Sequence, residues 1–250
     1  MEVIDPIPIE LDSEEFLLTL RIRRPVDKKI AQIIEKCRRL IEPKAIYTFV
    51  KVMDIKNDEV RLESGITLKS IILADMLECG QTIVPYVATI GLKLENQIQE
   101  NAKGSIIRAW VMEKLGDYAV GKSVAFIKSR VGETLGRVVS RFSPGTGTGE
   151  LFNIEQQEIL FRILDPPTSI GVCLMPSYMM VPRKSSSGVF AATHQEYVAC
   201  QHCPKKCENR KKQFIGDYIR AKRENQARAS KPNHGIRLPI GTDFSHGRTP

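Results

Sequence analysis

From Ile106 to Val131 the apolar residues fall at helical spacing. Ile106, Ile107, Trp110, Val111 and Leu115 line one face, and Val120, Val124, Ile127 and Val131 carry the stripe onward. A stripe of this length predicts one long helix in the middle of the chain, around which the rest must pack. It also decides the reading of Gly116-Asp-Tyr-Ala-Val-Gly121-Lys122-Ser123, which fits the phosphate-loop pattern G-x-x-x-x-G-K-[ST] letter for letter. That pattern works between a strand and a helix, where free backbone N–H groups face the phosphates. Inside a helix the same groups are bonded to carbonyls one turn back. No later hydrophobic run ends in an obvious Asp for magnesium. The match is read as accidental, and nucleotide hydrolysis is set aside.

Around this helix the pattern mixes strands and helices without strict alternation. Pro25 to Ile41 reads as a helix with Ile30, Ile33, Ile34, Cys37, Leu40 and Ile41 on one face. AIYTFVKVMDI reads as a strand, Asn57-Asp58 as a turn and EVRLES as the returning strand. Ser70 is placed to cap a short helix through Glu78, closed by Gly80. TIVPYVATIG is the next strand, and LKLENQIQENAK a helix before the long one. RVVSRF is a strand leading into the loop SPGTGTGE, and NIEQQEILFRIL a helix stopped by Asp165-Pro166-Pro167. GVCLM, SYMMV and GVFAA are short strands. A charged helix is expected from Pro204 to about Arg223. The class is α+β in one domain. Its expected limits are 1–199, with a cysteine segment and basic helix over 200–223 and a flexible tail over 224–250.

The net charge of +8 is local. Residues 201–250 hold 12 Lys and Arg against 4 Asp and Glu, while the first 200 residues balance at 25 of each sign. Such a segment attracts an acidic partner, and an acidic electron-transfer protein is one candidate. It lacks the interleaved basic and aromatic residues of a single-strand binder, so nucleic acid is not an expected partner. No apolar run is long enough to span a bilayer, and the acidic start MEVIDPIPIELDSEE has no secretory features. A cytoplasmic setting is expected.

Two constellations carry chemistry. In Arg141-Phe-Ser-Pro-Gly-Thr146 an Arg at a strand end can present its planar fork to a carboxylate. Pro144 sets the chain direction, and Gly145 allows close backbone approach to a ligand. Taken alone this is also an ordinary turn. The run GTGTG suggests a phosphate cradle but lacks the full G-x-G-x-x-G spacing. The second constellation is Cys200, Cys203 and Cys207, spaced C-x-x-C-x-x-x-C, which favours metal or redox chemistry over a disulfide framework. Lys205, Lys206, Arg210 and Lys211 would lower the thiol pKa values. Three thiolates with His202 or His194 would complete tetrahedral zinc, and three with an open position would hold an iron–sulfur cluster. The order differs from C-x-x-x-C-x-x-C, so radical chemistry is not inferred. Cys37, Cys79 and Cys173 are isolated among apolar residues and read as small buried hydrophobes.

The order of motifs is more specific than any one of them. ATIG (88–91) is followed by the long helix, then Arg141, Pro144 and Gly145, then a helix ending in LDPP. Ile170-Gly171 comes next, then Ser177, Met180 and Pro182, and finally Ser185, Ser187 and Gly188. From about residue 60 to 200 this resembles the activation domain of cobalamin-dependent methionine synthase. The resemblance implies a twisted, mainly antiparallel sheet with flanking helices and a site for S-adenosylmethionine. It implies that Arg141 engages the methionine carboxylate, that the Pro144-Gly145 backbone lines the cofactor, and that Tyr197 supplies an aromatic ring. Thr146 stands where the motif has Tyr, and GTGE replaces the acidic, proline-rich stretch that follows it.

The task implied is reductive reactivation by remethylation of an oxidised cobalamin. The cofactors supply the hard chemistry, and the protein supplies position and exclusion of water. The chain has no Asp-x-His-x-x-G signature of a corrinoid carrier. Cobalamin would therefore sit on a partner, a corrinoid-carrying methyltransferase or its cobalamin-binding module. The alternative is a non-catalytic module that binds a metal or a corrinoid protein and no longer uses S-adenosylmethionine.

Overall fold

The computed structural model describes residues 1–22, 28–147, 149–207, 210, 212–217 and 221. In chain order its elements are β1 (Glu2–Ile4), α1 (Ser13–Thr19), α2 (Lys28–Arg38), β2 (Lys44–Tyr47), β3 (Val50–Lys56), β4 (Glu59–Leu62) and β5 (Thr67–Lys69). Then come α3 (Ile71–Met76), β6 (Thr82–Thr89), α4 (Lys93–Ala102), α5 (Ile106–Leu135) and β7 (Val139–Phe142). A 3-10 turn (Ile154–Gln156) leads into α6 (Gln157–Leu164), followed by α7 (Pro166–Ile170), β8 (Cys173–Leu174), β9 (Met180–Val181), β10 (Ser185–Ala192) and α8 (Ala199–His202).

The long helix is α5, 30 residues in length. Ser105 caps its start, its Oγ accepting the Arg108 N–H at 3.4 Å, and left-handed Gly136 (φ 61°) ends it. The phosphate-loop match lies wholly inside this helix. Ser123 Oγ donates back to Ala119 O at 2.9 Å, and Lys122 pairs with Glu15 at 3.0 Å. Gly116 is a packing glycine: a Cβ there would stand 3.1 Å from the Lys184 stem and 3.2 Å from Leu94. The sequence expectation fails at the first turns. Ile106, Ile107 and Trp110 are 80%, 77% and 47% exposed, because the helix enters the core only from Ala109, Val111 and Met112 onward.

The sheet is antiparallel in every pair and centres on β6. Along one edge β6 pairs with β10, from Ile83↔Ala191 to Thr89↔Ser185, and β7 pairs with the far side of β10. Along its other edge β6 pairs with β2 and then β3 in a single register, Tyr47↔Tyr86 and Val50↔Ile83. The expected strand AIYTFVKVMDI is thus split at Thr48-Phe49, opposite Pro85. Thr48 N–H still donates to Pro85 O at 3.2 Å, but proline has no N–H to return, so the ladder lapses there. Asn57 (φ 58°) supplies the left-handed turn residue of the β3–β4 hairpin.

Alternation along β6 sends Val84, Tyr86 and Ala88 toward α5 (Val124, Ile127 and Val131), while Ile83 and Val87 face α3, α6 and α7. Full burial of each larger side chain is worth roughly 1.5–3 kcal/mol. The helices α1, α2 and α4 cover the N-terminal half of α5 through Phe16, Leu17, Ile34, Cys37, Leu94 and Ile98. Ser70 caps α3 as expected, accepting from Leu73 N–H at 3.2 Å while donating to Leu151 O at 2.9 Å. α3 nevertheless ends at Met76, not Glu78. Asp165 closes α6 in a left-handed conformation (φ 46°), and Pro166 then opens α7, where its missing N–H costs nothing. The architecture is the expected α+β arrangement of a curled antiparallel sheet with flanking helices.

Several local expectations need correction. β1, α1 and β5 arise from stretches without a clear periodic signal. Of the isolated cysteines only Cys37 is buried; Cys79 lies in an exposed turn and Cys173 on the outer face of the β8–β9 ribbon. The described residues between 204 and 217 are not helical; Ala221 N–H donates to Asp217 O at 3.0 Å. Pro25 and residues 224–250 lie outside the described residues. Among the described residues no helix is long and apolar enough to cross a membrane.

Candidate functional site

Arg141 lies on β7 opposite Phe190, so its side chain leaves the sheet on the same face as Phe190 and Tyr86. Those two rings stack at 4.3 Å and 13°, and the guanidinium carbon lies 6.0 Å from the Tyr86 centroid. Arg141 Nε–H donates to Ser143 Oγ at 3.0 Å and Nη2–H to Ser186 Oγ at 2.8 Å. The residue is exposed, and no carboxylate pairs with it among the described residues. The result is a planar cation held in one orientation by two hydroxyls and an aromatic floor. Such a fork is suited to a carboxylate.

The chain crosses itself closely here. A Cβ on Gly188 would lie 2.4 Å from Phe142 O, 2.9 Å from Ser143 Oγ and 3.0 Å from the Tyr86 ring. Only glycine lets the end of β7 pass β10 at this height. Ser143-Pro144-Gly145-Thr146 forms a Pro-Gly turn with Gly145 at φ 75°. Thr146 N–H and Oγ1–H both reach Ser143 O, at 3.3 and 2.7 Å. Gly145 N–H donates to Phe152 O at 2.8 Å, and its missing side chain makes room for Ile154, whose Cδ1 would stand 2.6 Å from a Cβ. Pro144 is buried beneath the exposed Gly145 and Thr146. Gly149 N–H bonds Thr146 O at 3.3 Å. The backbone donors of Gly145, Thr146 and Gly149 are thus engaged internally rather than turned outward as in a phosphate cradle.

Tyr197 is not brought to Arg141. Its ring stacks on Phe142 at 5.0 Å and 13°, on the opposite face of β7 from Arg141, and His202 stacks on its other side at 5.5 Å and 6°. Ser140 Oγ accepts the Tyr197 N–H at 2.8 Å and fixes this placement. Burial pushes the Tyr197 hydroxyl up to about 12, and the thiols of Cys203 and Cys200 add to the shift. The His202 imidazole is lowered by burial.

Cys200 lies in α8, Cys203 ends that helix, and Cys207 is exposed beyond it. Arg210, expected to act on the thiols, instead donates to the backbone carbonyls of Cys200, Cys203 (2.8 Å) and Lys205 (2.6 Å). It also lies 5.6 Å over the Phe214 ring. Cys203 packs beside Gly147, which joins the cysteine segment to the Pro144–Gly149 loop. His194 is solvent-exposed, 3.9 Å from Glu78. Among the described residues no three His, Cys, Asp or Glu side chains stand together so as to hold an ion. The centre expected at Cys200, Cys203 and Cys207 is therefore not assembled in this arrangement.

Sequence reasoning missed the groups that set the position of Arg141. Ser143 and Ser186 are legible only once register is known, since Ser186 is the middle residue of the Ser185-x-Ser187 element. Ser185 Oγ–H donates to Pro182 O at 2.6 Å, and Ser187 Oγ–H to Gln157 Oε1 at 3.0 Å. Just upstream, Lys184 is 8% exposed and pairs with Glu113 at 2.9 Å and Asp117 at 2.6 Å. Arg183 binds Glu95 through its backbone N–H (2.8 Å) and Nε–H (3.0 Å). Two adjacent cations thus bolt the start of β10 to α4 and α5. The signal was present in the i, i+4 pair Glu113 and Asp117 on α5, but its partner lies about 70 residues away.

No protein-family model matches the chain, and no curated protein does. Among solved structures, it is similar to the crystal structure of the MetH reactivation domain bound to AdoHcy. The TM-score is 0.59 at 11% sequence identity, over 79% of this chain and 80% of that one. The fold is thus that of the methionine synthase activation domain, as the order of motifs implies.

Proposed function

We propose that this chain is an accessory protein for reductive reactivation, by S-adenosylmethionine-dependent remethylation, of a cobalamin-dependent methyltransferase of the methionine synthase kind. The observation that carries this reading is the Arg141 guanidinium, oriented by Ser143 and Ser186 and paired with no carboxylate among the described residues. Its setting is the fold of a domain crystallised with AdoHcy. The residues fit the amino-acid end of the ligand: Arg141 for the carboxylate, and the exposed Gly145 backbone for close approach. Bound there, S-adenosylmethionine supplies an electrophilic sulfonium methyl to a corrinoid carried by a cytoplasmic partner and reduced by a separate electron donor. The chain's own part is to anchor the ligand, hold its direction and keep water from the reacting side.

Titration calorimetry with S-adenosylmethionine tests the reading. Arg141→Lys keeps the charge but loses the two-pronged contact, and affinity should fall at least about tenfold. Binding equal to wild type, with stability unchanged, refutes the assignment. Methyl transfer to a cob(II)alamin partner with reductant and labelled S-adenosylmethionine tests the activity itself. A second reading, a binding module that no longer uses S-adenosylmethionine, is favoured by one observation. Thr146 turns its hydroxyl back to Ser143 O and Tyr197 stacks on the opposite face, so neither offers a ring to adenine. No heat with S-adenosylmethionine, beside retained binding of the corrinoid partner, would select it. A metal at Cys200, Cys203 and Cys207 belongs to either reading. Anaerobic reconstitution with iron and sulfide, or with zinc, distinguishes a coloured cluster, a colourless zinc centre and three free thiols.

A further inference from the structure

The N-terminal half of α5, with α1 and α2, leaves an open groove of about 780 Å³. Its floor is apolar, formed by Leu20, Ile30, Ile33, Ile107, Trp110 and Val111. Among the described residues, the charged groups that line it are Lys29, Lys36 and Arg108. All three are exposed, and none pairs with a carboxylate among the described residues. Next in sequence to the lining residues Ile107 and Leu17, Ile106 (80% exposed) and Leu18 (62% exposed) add further exposed apolar surface. Single exposed apolar residues mean little, but a contiguous set rimmed by charge of one sign marks a binding surface.

We propose that this groove takes an acidic amphipathic helix from a partner protein. Lys29 and Lys36 are seven residues apart on α2, which places them two turns or about 10 Å apart. Acidic residues two turns apart on an incoming helix would meet both, with its apolar stripe on the groove floor. The exposed apolar surface outruns the groove, so a rod-like occupant covers it better than one small molecule. The chain's own C-terminal segment is a poor occupant, because residues 201–250 carry 12 Lys and Arg against 4 Asp and Glu and would be repelled by the rim. The acidic residues Glu14 and Glu15 are already folded into α1. The surface is separate from Arg141, which lies on the sheet at β7.

The test uses the full chain and a designed helical peptide with Leu at i, i+3, i+4 and i+7 and Glu flanking them two turns apart. A counterpart carries Lys at every Glu position. Trp110 is the only tryptophan, so its emission reports occupancy directly. The acidic peptide should shift Trp110 emission to the blue and bind several-fold more weakly as salt rises from low to about 0.15 M. The Lys peptide should not bind. Lys29→Glu/Lys36→Glu, two exposed changes, should weaken the acidic peptide about tenfold or more and let the Lys peptide bind, while S-adenosylmethionine titration stays unchanged. Equal binding of both peptides, or binding that leaves Trp110 emission unmoved, overturns the proposal. Saturation by decanoate with neither peptide bound would assign the groove to a fatty-acid-like ligand instead and equally overturn it.

Discussion

Replacing Gly188 by Ala tests the crossing on which the Arg141 site depends. The added methyl would meet Phe142 O at 2.4 Å, about 1 Å inside ordinary contact, with Ser143 Oγ and the Tyr86 ring also close. The carbonyl belongs to a residue paired with Val189, so it cannot retreat without loosening β7 from β10. Ser143 and Tyr86 are the same groups that hold the guanidinium. Overpacking against fixed backbone sits at the upper end of its usual range, about 3 kcal/mol. For a chain of this size that lowers the melting temperature by about 6–12 °C. Thermal melts followed by circular dichroism would show it, and affinity for S-adenosylmethionine should fall in parallel because Ser143 moves. Gly121→Ala is the control: nothing lies within 4 Å of its added methyl, and a helix-interior glycine is replaced. It should raise stability by about 0.5–1 kcal/mol. A Gly188→Ala protein that melts within about 2 °C of wild type refutes the close crossing.

Lys122→Ala should leave the fold intact and no nucleotide response to lose, with a cost below about 1 kcal/mol for so exposed an ion pair. The Lys122 contact holds the Glu15 carboxyl below its ordinary 4.5, so the pair stabilises above that pH and the benefit is lost as pH falls. The difference between Lys122→Ala and wild type should therefore shrink as pH falls below the ordinary 4.5 in paired melts. Burial pushes the Cys37 thiol up to about 12, so its contribution weakens stability only as pH rises from the ordinary 9.0 toward that value. At pH 8 an alkylating reagent should label the exposed Cys79 and Cys173 and reach Cys37 only after denaturant is added. Lys184→Ala leaves Glu113 and Asp117 facing each other. Since Asp117 is 54% exposed the loss should be near 2 kcal/mol rather than the full cost of a broken buried pair, read as a lowered denaturant midpoint.

What the sequence shows best is what repeats. The stripe through α5, the β-branched runs of β3 and β6 and the Ser70 cap are local patterns, and each appears where the pattern puts it. The split between β2 and β3 was not legible, because its cause is a proline on another strand. Likewise Arg141 could be singled out from Arg-x-x-Pro-Gly, whereas its partners Ser186 and Tyr86 become neighbours only through sheet register. Tyr197 shows the converse: the family resemblance implies an aromatic ligand group there, but the Ser140 bond and the stack on Phe142 turn it into the core on the other face. Spacing also suggested that Cys200, Cys203 and Cys207 converge, and the Arg210 bonds to the carbonyls of Cys200, Cys203 and Lys205 shape that backbone in a way no spacing rule contains. The exposed ends of Ile106 and Ile107 mark the opposite limit, where helical periodicity continues past the surface that needs it.

The placement of β10 has a consequence for how the chain comes to be folded at all. β6 is complete by Thr89, yet one whole edge of it waits for residues 185–191. Closing a loop of that length, about a hundred residues, costs roughly 4 kcal/mol in chain entropy before any strand bond is made. While the ribosome adds the intervening residues, β6 offers an unpaired edge whose side chains are almost all apolar. The long helix α5 forms from local contacts in that interval and can shield one face, but not the edge. Products that end before Ser185 should therefore collect as aggregates rather than as stable half-domains, and folding is committed only when the last strand slides between two that are already there.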